Sequence, residues 1–220
     1  MDRPCSNVCS NTGISRPDGG AGVKPIAGCR GRPGRWEDPD MPSQEHPRVL
    51  EVERLLRAAG ATGEVRHLPD SAPTAAAAAA QLGVEVGAIA NSLVFDVDGA
   101  PLLVLTSGAH RVDEALVAEL LGVPRIVRAA PAFVREHTGQ VIGGVAPIGH
   151  PAPIGTLVDI ELARYDQVWA AAGHSHTVFP TTYEELLALT GGTPAEVGRG
   201  AETPSGPIAS GEQPEEMSAR

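Results

Sequence analysis

An Asp-Gly step between two apolar runs constrains this chain more than any other feature of its sequence. Leu93-Val94-Phe95 leads into Asp98-Gly99, and Pro101-Leu102-Leu103-Val104-Leu105-Thr106 follows. Asp-Gly suits a two-residue turn whose central residues both need positive φ, so the pair reads as a β-hairpin. Its first strand is apolar enough to be buried, yet Asn91 and Ser92 stand at its mouth. A carboxamide there either caps a turn or lines a pocket at the strand's end, and local spacing leaves both open.

Strands and helices interleave around this hairpin. Residues 46–59 place Val49, Val52, Leu55, Leu56 and Ala59 on one helical face, and Gly60 ends the run. A short strand is expected over 64–68, and Thr74 is a candidate N-cap for an alanine-rich helix over 75–82, closed by Gly83. Residues 112–121 form an amphipathic helix with Asp113 and Glu114 in its first turn. Residues 125–128 read as a strand and 131–137 as a short helix. Further strands are expected over 156–160, 168–172 and 176–179, and Thr181 or Thr182 caps a last helix over 183–189. The expected fold class is α/β in the mixed α+β sense, a mixed sheet curled round a pocket with surrounding helices.

The ends differ from this middle. Residues 1–45, typified by Arg30-Gly31-Arg32-Pro33-Gly34-Arg35, and residues 198–220 carry few large aliphatics and no helical or strand period. Such segments lack the apolar area to offset ordering entropy, so two disordered tails are expected around a domain at 46–197, with Met41 a candidate start. The domain carries nine Arg against seventeen Asp and Glu, most of the net charge of −10. That balance disfavours tight non-specific nucleic-acid binding and excludes DNA as a partner, though a local Arg patch could hold one end of an RNA. Cys5, Cys9 and Cys29 all fall in the N-terminal tail and lack a fourth zinc ligand. With no long apolar run and no apolar leader, no membrane is implied and a cytoplasmic location is expected.

Nucleotide-binding glycine fingerprints, a Gly-x-Ser-x-Gly elbow and a cysteine nucleophile are all missing from the domain. His174-Ser175-His176 could offer two imidazoles on one strand face, but no third ligand is specified, so neither a metal nor a cofactor is expected. Two segments are better candidates for a site. The Gly- and Pro-rich stretch Gly143–Pro153 could bring backbone N–H groups close to a ligand and cradle an oxyanion, or be only a tight connection. Thr106-Ser107-Gly108-Ala109-His110 supplies hydroxyls and an imidazole, or simply a turn.

The stretches "LGVEVGAIANSLVFDVDGAPLLVLTSGAHRVD", "GGVAPIGHPAP", "LVDIELARYDQVWAAAG" and "TTYEELLALTGG" together resemble the YbaK/ProX aminoacyl-tRNA editing domain, a fold also inserted in many bacterial prolyl-tRNA synthetases. The resemblance runs from about Arg48 to Glu196. It implies a free-standing trans-editing hydrolase that cleaves the ester of a mischarged small amino acid on the aminoacyl-tRNA acceptor end, with a synthetase or elongation factor as a possible partner in delivery. Without a protein nucleophile, such an enzyme works by positioning and by stabilising the tetrahedral oxyanion.

Residue by residue, the resemblance assigns Gly143 and Gly144 to the family's glycine pair and makes them, with Asn91, the catalytic candidates. Ser92, Thr106, Ser107, Gly108, Val145, Ala146, Pro147, Ile148, Gly149, His150 and Asp159 become candidate substrate contacts. Many members carry Ser where Ala146 stands and Lys where Asn91 stands. The domain has no lysine, and Arg111 or Arg128 could replace it only by folding inward. Two rivals follow from that departure: a non-catalytic binding module of the same fold, and a hydrolase of some other small ester or amide.

Overall fold

A computed structural model describes residues 46–200, with side chains through Gly198. Five helices occur there: α1 (Pro47–Ala59), α2 (Ala75–Leu82), α3 (Glu114–Leu121), α4 (Pro131–Thr138) and α5 (Tyr183–Thr190). The strands are β1 (Arg66–His67), β2 (Ile89–Val97), β3 (Ala100–Ser107), β4 (His110–Val112), β5 (Val127–Arg128), β6 (Gly155–Asp159), β7 (Val168–Ala171), β8 (Thr177–Thr181), β9 (Thr193–Ala195) and β10 (Gly198–Gly200). Short 3-10 turns cover Val86–Ala88 and Ile160–Arg164.

The hairpin forms as expected. Asp98 and Gly99 take φ of 50° and 86°, Val97 faces Ala100, and Asp96 Oδ1 accepts the Gly99 amide. These strands centre a mixed sheet ordered β1-β8-β7-β2-β3-β6-β9, in which β2–β7, β3–β6 and β6–β9 are parallel pairs. Both faces of the hairpin are covered. Ala90, Val94, Leu103 and Leu105 pack into the main core with Val52 and Leu56 of α1 and Leu186 of α5. Phe95, Leu102 and Val104 meet Val117 of α3. A third cluster joins Ile89 and Trp169 to Ala78 and Ala79 of α2.

Caps set the helix ends. The Thr74 and Thr182 hydroxyls accept from Ala77 and Glu185, and Gly60, Gly83 and Gly191 close helices in the left-handed region. Several boundaries correct the sequence expectation. The strand expected over 64–68 shrinks to β1, and the one over 125–128 to β5. The helix expected from Val112 starts at Glu114, because Asp113 is its N-cap and Val112 belongs to β4. The strand expected from His176 is Thr177–Thr181, and β2 starts at Ile89, which puts Asn91 inside the strand. Strand pairing continues past residue 197: β10 pairs antiparallel with β4, with Val197 fully buried. The remaining tail residues, 1–45 and 201–220, with Met41 and the three cysteines, lie outside the described residues.

Candidate active site

β2 is paired along one edge with β3 throughout. Along the other edge it meets β7 at Ile89 and Ala90, then β5 at Phe95 and Asp96. Between those pairings the sheet splits, and a cavity of about 220 Å³ opens there. Pro73, Ala75 and Ala78 form one wall, Trp169 and Ala171 of β7 another, and Ile142, Gly143 and Val145 a third; Arg128 sits at the β5 end. Asn91 and Ser92 both line it. Neighbours in a strand point to opposite faces, and only a split in the sheet lets one chamber touch both.

Most polar groups around the chamber are engaged. Thr74 Oγ1 caps α2, Ser71 Oγ donates to Ser175 Oγ at 3.0 Å, and Thr177 Oγ1 donates to the His174 carbonyl at 3.1 Å. The Asn91 carboxamide, by contrast, has no partner among the described residues, and Ser92 Oγ is buried without one. Neither Asp, Glu nor Lys lines the cavity. Arg128 makes no ion pair among the described residues, so its guanidinium is a free cation at the rim. Arg111 lies on β4, opposite Arg199, away from this cavity.

The Gly-rich loop divides between two sites. Gly143 (φ 91°) lines the cavity, and a Cβ on it would lie 3.3 Å from Pro73 Cα. Gly144 instead packs onto the 173–176 turn, where a Cβ would fall 2.8 Å from the His174 carbonyl carbon. Its amide donates to the Val141 carbonyl, and the Ala146 amide donates to Gln140 Oε1 at 2.6 Å. Those two N–H groups are therefore committed to the loop itself and form no open cradle for an oxyanion. Pro147, Ile148, Gly149 and His150 turn to a separate depression of about 470 Å³ against Leu55 of α1 and Leu189 of α5. His150 Nε2 donates to the Ala146 carbonyl at 3.0 Å, and burial holds its pKa below the ordinary histidine range.

The expected wall at Thr106–Gly108 is also relocated. Thr106 and Ser107 are fully buried: the Thr106 hydroxyl and the Ser107 amide both donate to Asp159 Oδ2 at 3.1 Å, and Ser107 Oγ donates to the Gly87 carbonyl. Gly108 fits under the Val86 carbonyl, where a Cβ would clash. Asp159 also meets His110 Nδ1 at 3.0 Å and caps the 160–164 turn through Oδ1. These residues brace the strands behind the cavity and do not line it.

Two further residues complete the site: His174, read from the sequence only as half of a possible metal pair, and Gln140, not singled out there. His174 lines the cavity, and its Nδ1 accepts the His176 amide at 3.2 Å, which leaves the proton of the neutral ring on Nε2. Its pKa is lowered, first by burial and then by the neighbouring His46, His176 and His67 imidazoles. The His174 and His176 rings stack 5.2 Å apart, and no group of three or more His, Cys, Asp or Glu among the described residues is arranged to hold a metal. Gln140 ties the loop down through both Ala146 and Ile148. Its one sequence signal was being a long polar side chain inside a Gly-rich stretch.

Comparison with known proteins places this fold in a family. The aminoacyl-tRNA editing domain model matches residues 69–189, and the chain belongs to that family. It is 30% identical over 124 residues to the uncharacterized protein YwhH of Bacillus subtilis, covering 56% of this chain and 78% of that protein. It is 29% identical over 158 residues to a proline–tRNA ligase of Bacillus licheniformis, of which it covers 27%. The chain thus spans about a quarter of that ligase. A crystal structure described as a candidate trans-editing enzyme for prolyl tRNA synthetase superposes with a TM-score of 0.66 at 41% identity, over 70% of this chain and 98% of that one.

Proposed function

We propose that this chain is a free-standing aminoacyl-tRNA deacylase that hydrolyses the ester of a mischarged small amino acid. The observation that carries the reading is the pairing of two unengaged polar groups, Asn91 and Ser92, with Gly143 around one alanine-walled cavity. Family membership supports the substrate class, and the relatives named for proline–tRNA ligase and its trans-editing point to tRNA of the prolyl type.

In this reading the ester carbonyl sits beside β2 and water attacks it. The Asn91 amide nitrogen donates to the developing oxyanion, or its oxygen orients the water. His174, with Nδ1 accepting the His176 amide, offers an Nε2–H hydrogen-bond donor and no free lone pair for a base. Arg128, the one Arg lining the cavity, would be available to a phosphate of the acceptor end, a favourable contact in an acidic domain. Rate enhancement then comes from placement and fixed dipoles.

A binding module of the same fold is favoured by one observation: no carboxylate or lysine lines the cavity. Single-turnover deacylation over a panel of mischarged tRNAs separates the two. Hydrolysis by the wild type that falls in Asn91→Ala supports the enzyme. Binding of a non-hydrolysable aminoacyl-adenosine with no ester turnover supports the module.

A further inference from the structure

The split in the sheet has a defined polarity. Along a strand, successive residues direct their N–H and C=O groups alternately to the two edges. Ile89 accepts the Gly108 amide on the β3 side, whereas Val94 accepts the Ala129 amide on the β5 side. Ser92, two residues before Val94, therefore directs both its main-chain groups away from β3. β7 reaches β2 only as far as Ala90, and β5 only from Phe95. The Ser92 amide and carbonyl are thus unpaired among the described residues, and its hydroxyl is buried without a partner as well. Sheet interiors rarely leave one residue's donor, acceptor and side chain all open. Here all three belong to a residue that lines the cavity.

Resting on the deacylase reading above, we infer that the amino-acid part of the substrate docks as the missing residue of the sheet, its α-ammonium donating to the Ser92 carbonyl and its ester carbonyl accepting from the Ser92 amide. An aminoacyl ester carries a nitrogen donor and a carbonyl acceptor on one tetrahedral carbon, which is what a strand residue presents to its neighbour across a bridge. A turn about χ1 between staggered wells brings the Ser92 hydroxyl round as a second acceptor for the ammonium. No carboxylate lines the cavity, and Arg128 at its β5 end is exposed to solvent, so the acceptors an ammonium meets there are uncharged oxygens. The Ser92 amide, held by strand geometry, also becomes a fixed donor to the carbonyl oxygen as negative charge develops on it. Asn91, on the opposite face of β2, is left for the ester oxygen or the water.

Two measurements test this on the full chain. In the first, the ¹⁵N-labelled protein is titrated with 3′-deoxy-3′-(L-alanylamino)adenosine, an amide-linked analogue. The Ser92 amide proton is expected to move downfield and to exchange with solvent at least tenfold more slowly. In the second, alanyl-tRNA and lactyl-tRNA, which differ in an ammonium against a hydroxyl, are compared by kcat/KM. The wild type is expected to prefer the ammonium form by at least tenfold more than Ser92→Ala does, with the thermal midpoint of the variant at or above the wild-type value. A bound analogue that leaves the Ser92 amide unmoved overturns the inference alone, and the same alanyl-to-lactyl ratio in both proteins overturns the role given to the Ser92 hydroxyl. No turnover of any mischarged tRNA removes the deacylase reading, and this inference with it.

Discussion

The Thr106 hydroxyl donates to Asp159 Oδ2 over 3.1 Å, and the same oxygen takes the Ser107 amide and meets His110 Nδ1. One carboxylate oxygen thereby joins β3 and β4 at a fully buried point. Asp159→Ala leaves the hydroxyl and the amide without an acceptor where water does not reach. A loss of about 3–5 kcal/mol is expected, read by urea unfolding. A loss below about 1 kcal/mol would show that the cluster braces nothing.

Asn91 sits where many relatives are expected to carry lysine. A charged donor strengthens a hydrogen bond by about 1 kcal/mol over a neutral one. Asn91→Lys should therefore raise deacylation five- to tenfold, roughly the factor that 1 kcal/mol represents, while Asn91→Ala lowers it. Single-turnover rates on one mischarged tRNA decide the matter, and a slower Lys variant would mean that the carboxamide oxygen is the working atom.

Gly144 couples the loop to the 173–176 turn. A Cβ there meets the backbone of His174 and Ser175 at 2.8 to 2.9 Å, atoms that cannot swing aside as a side chain could. Gly144→Ala should cost about 1–3 kcal/mol by forcing that turn away. Because His174 moves with it, turnover should fall beyond what the loss of folded protein explains. Thermal melts alongside kcat separate the two effects.

His46 and His174 each accept a backbone N–H at Nδ1, from Arg48 and His176. Burial lowers both pKa values from the ordinary 6.5, helped by the Arg48 charge beside His46 and by the imidazoles of His46, His176 and His67 around His174. His150 is lowered by burial as well. A lowered pKa in the fold means that the unfolded chain binds more protons, so stability is fully present above pH 6.5 and is lost as pH falls through the folded values. The thermal midpoint should stay level above about pH 7 and drop below about pH 6.5. His174→Gln, which keeps an acceptor for the His176 amide, should flatten that drop. An unchanged profile would count against the cluster.

The hairpin and the helix caps were legible because Asp98-Gly99, Thr74, Thr182 and the closing glycines act locally. The strands β4, β9 and β10, three residues each, are too short to show a period and exist only through their partners. Val112 read as helix because the apolar pattern runs straight through the Asp113 cap. The site was half visible. Asn91, Ser92 and Gly143 could be named, but the hydroxyls of Thr106 and Ser107 look the same in sequence whether they face a ligand or a buried Asp159. The split itself depends on where β7 stops and β5 begins along β2. That register is fixed by segments far apart in the chain, and no local pattern contains it.

Between the β7 pairing at Ala90 and the β5 pairing at Phe95, Ser92 turns its main-chain groups to the open edge, so the proposed docking has room in the ladder for one residue. A growing polypeptide attached through the same nitrogen would have to run toward β5, where Arg128 already pairs with Phe95. Peptidyl-tRNA should thus be refused without any dedicated gate, and a proofreader shaped this way would leave translating ribosomes' products alone.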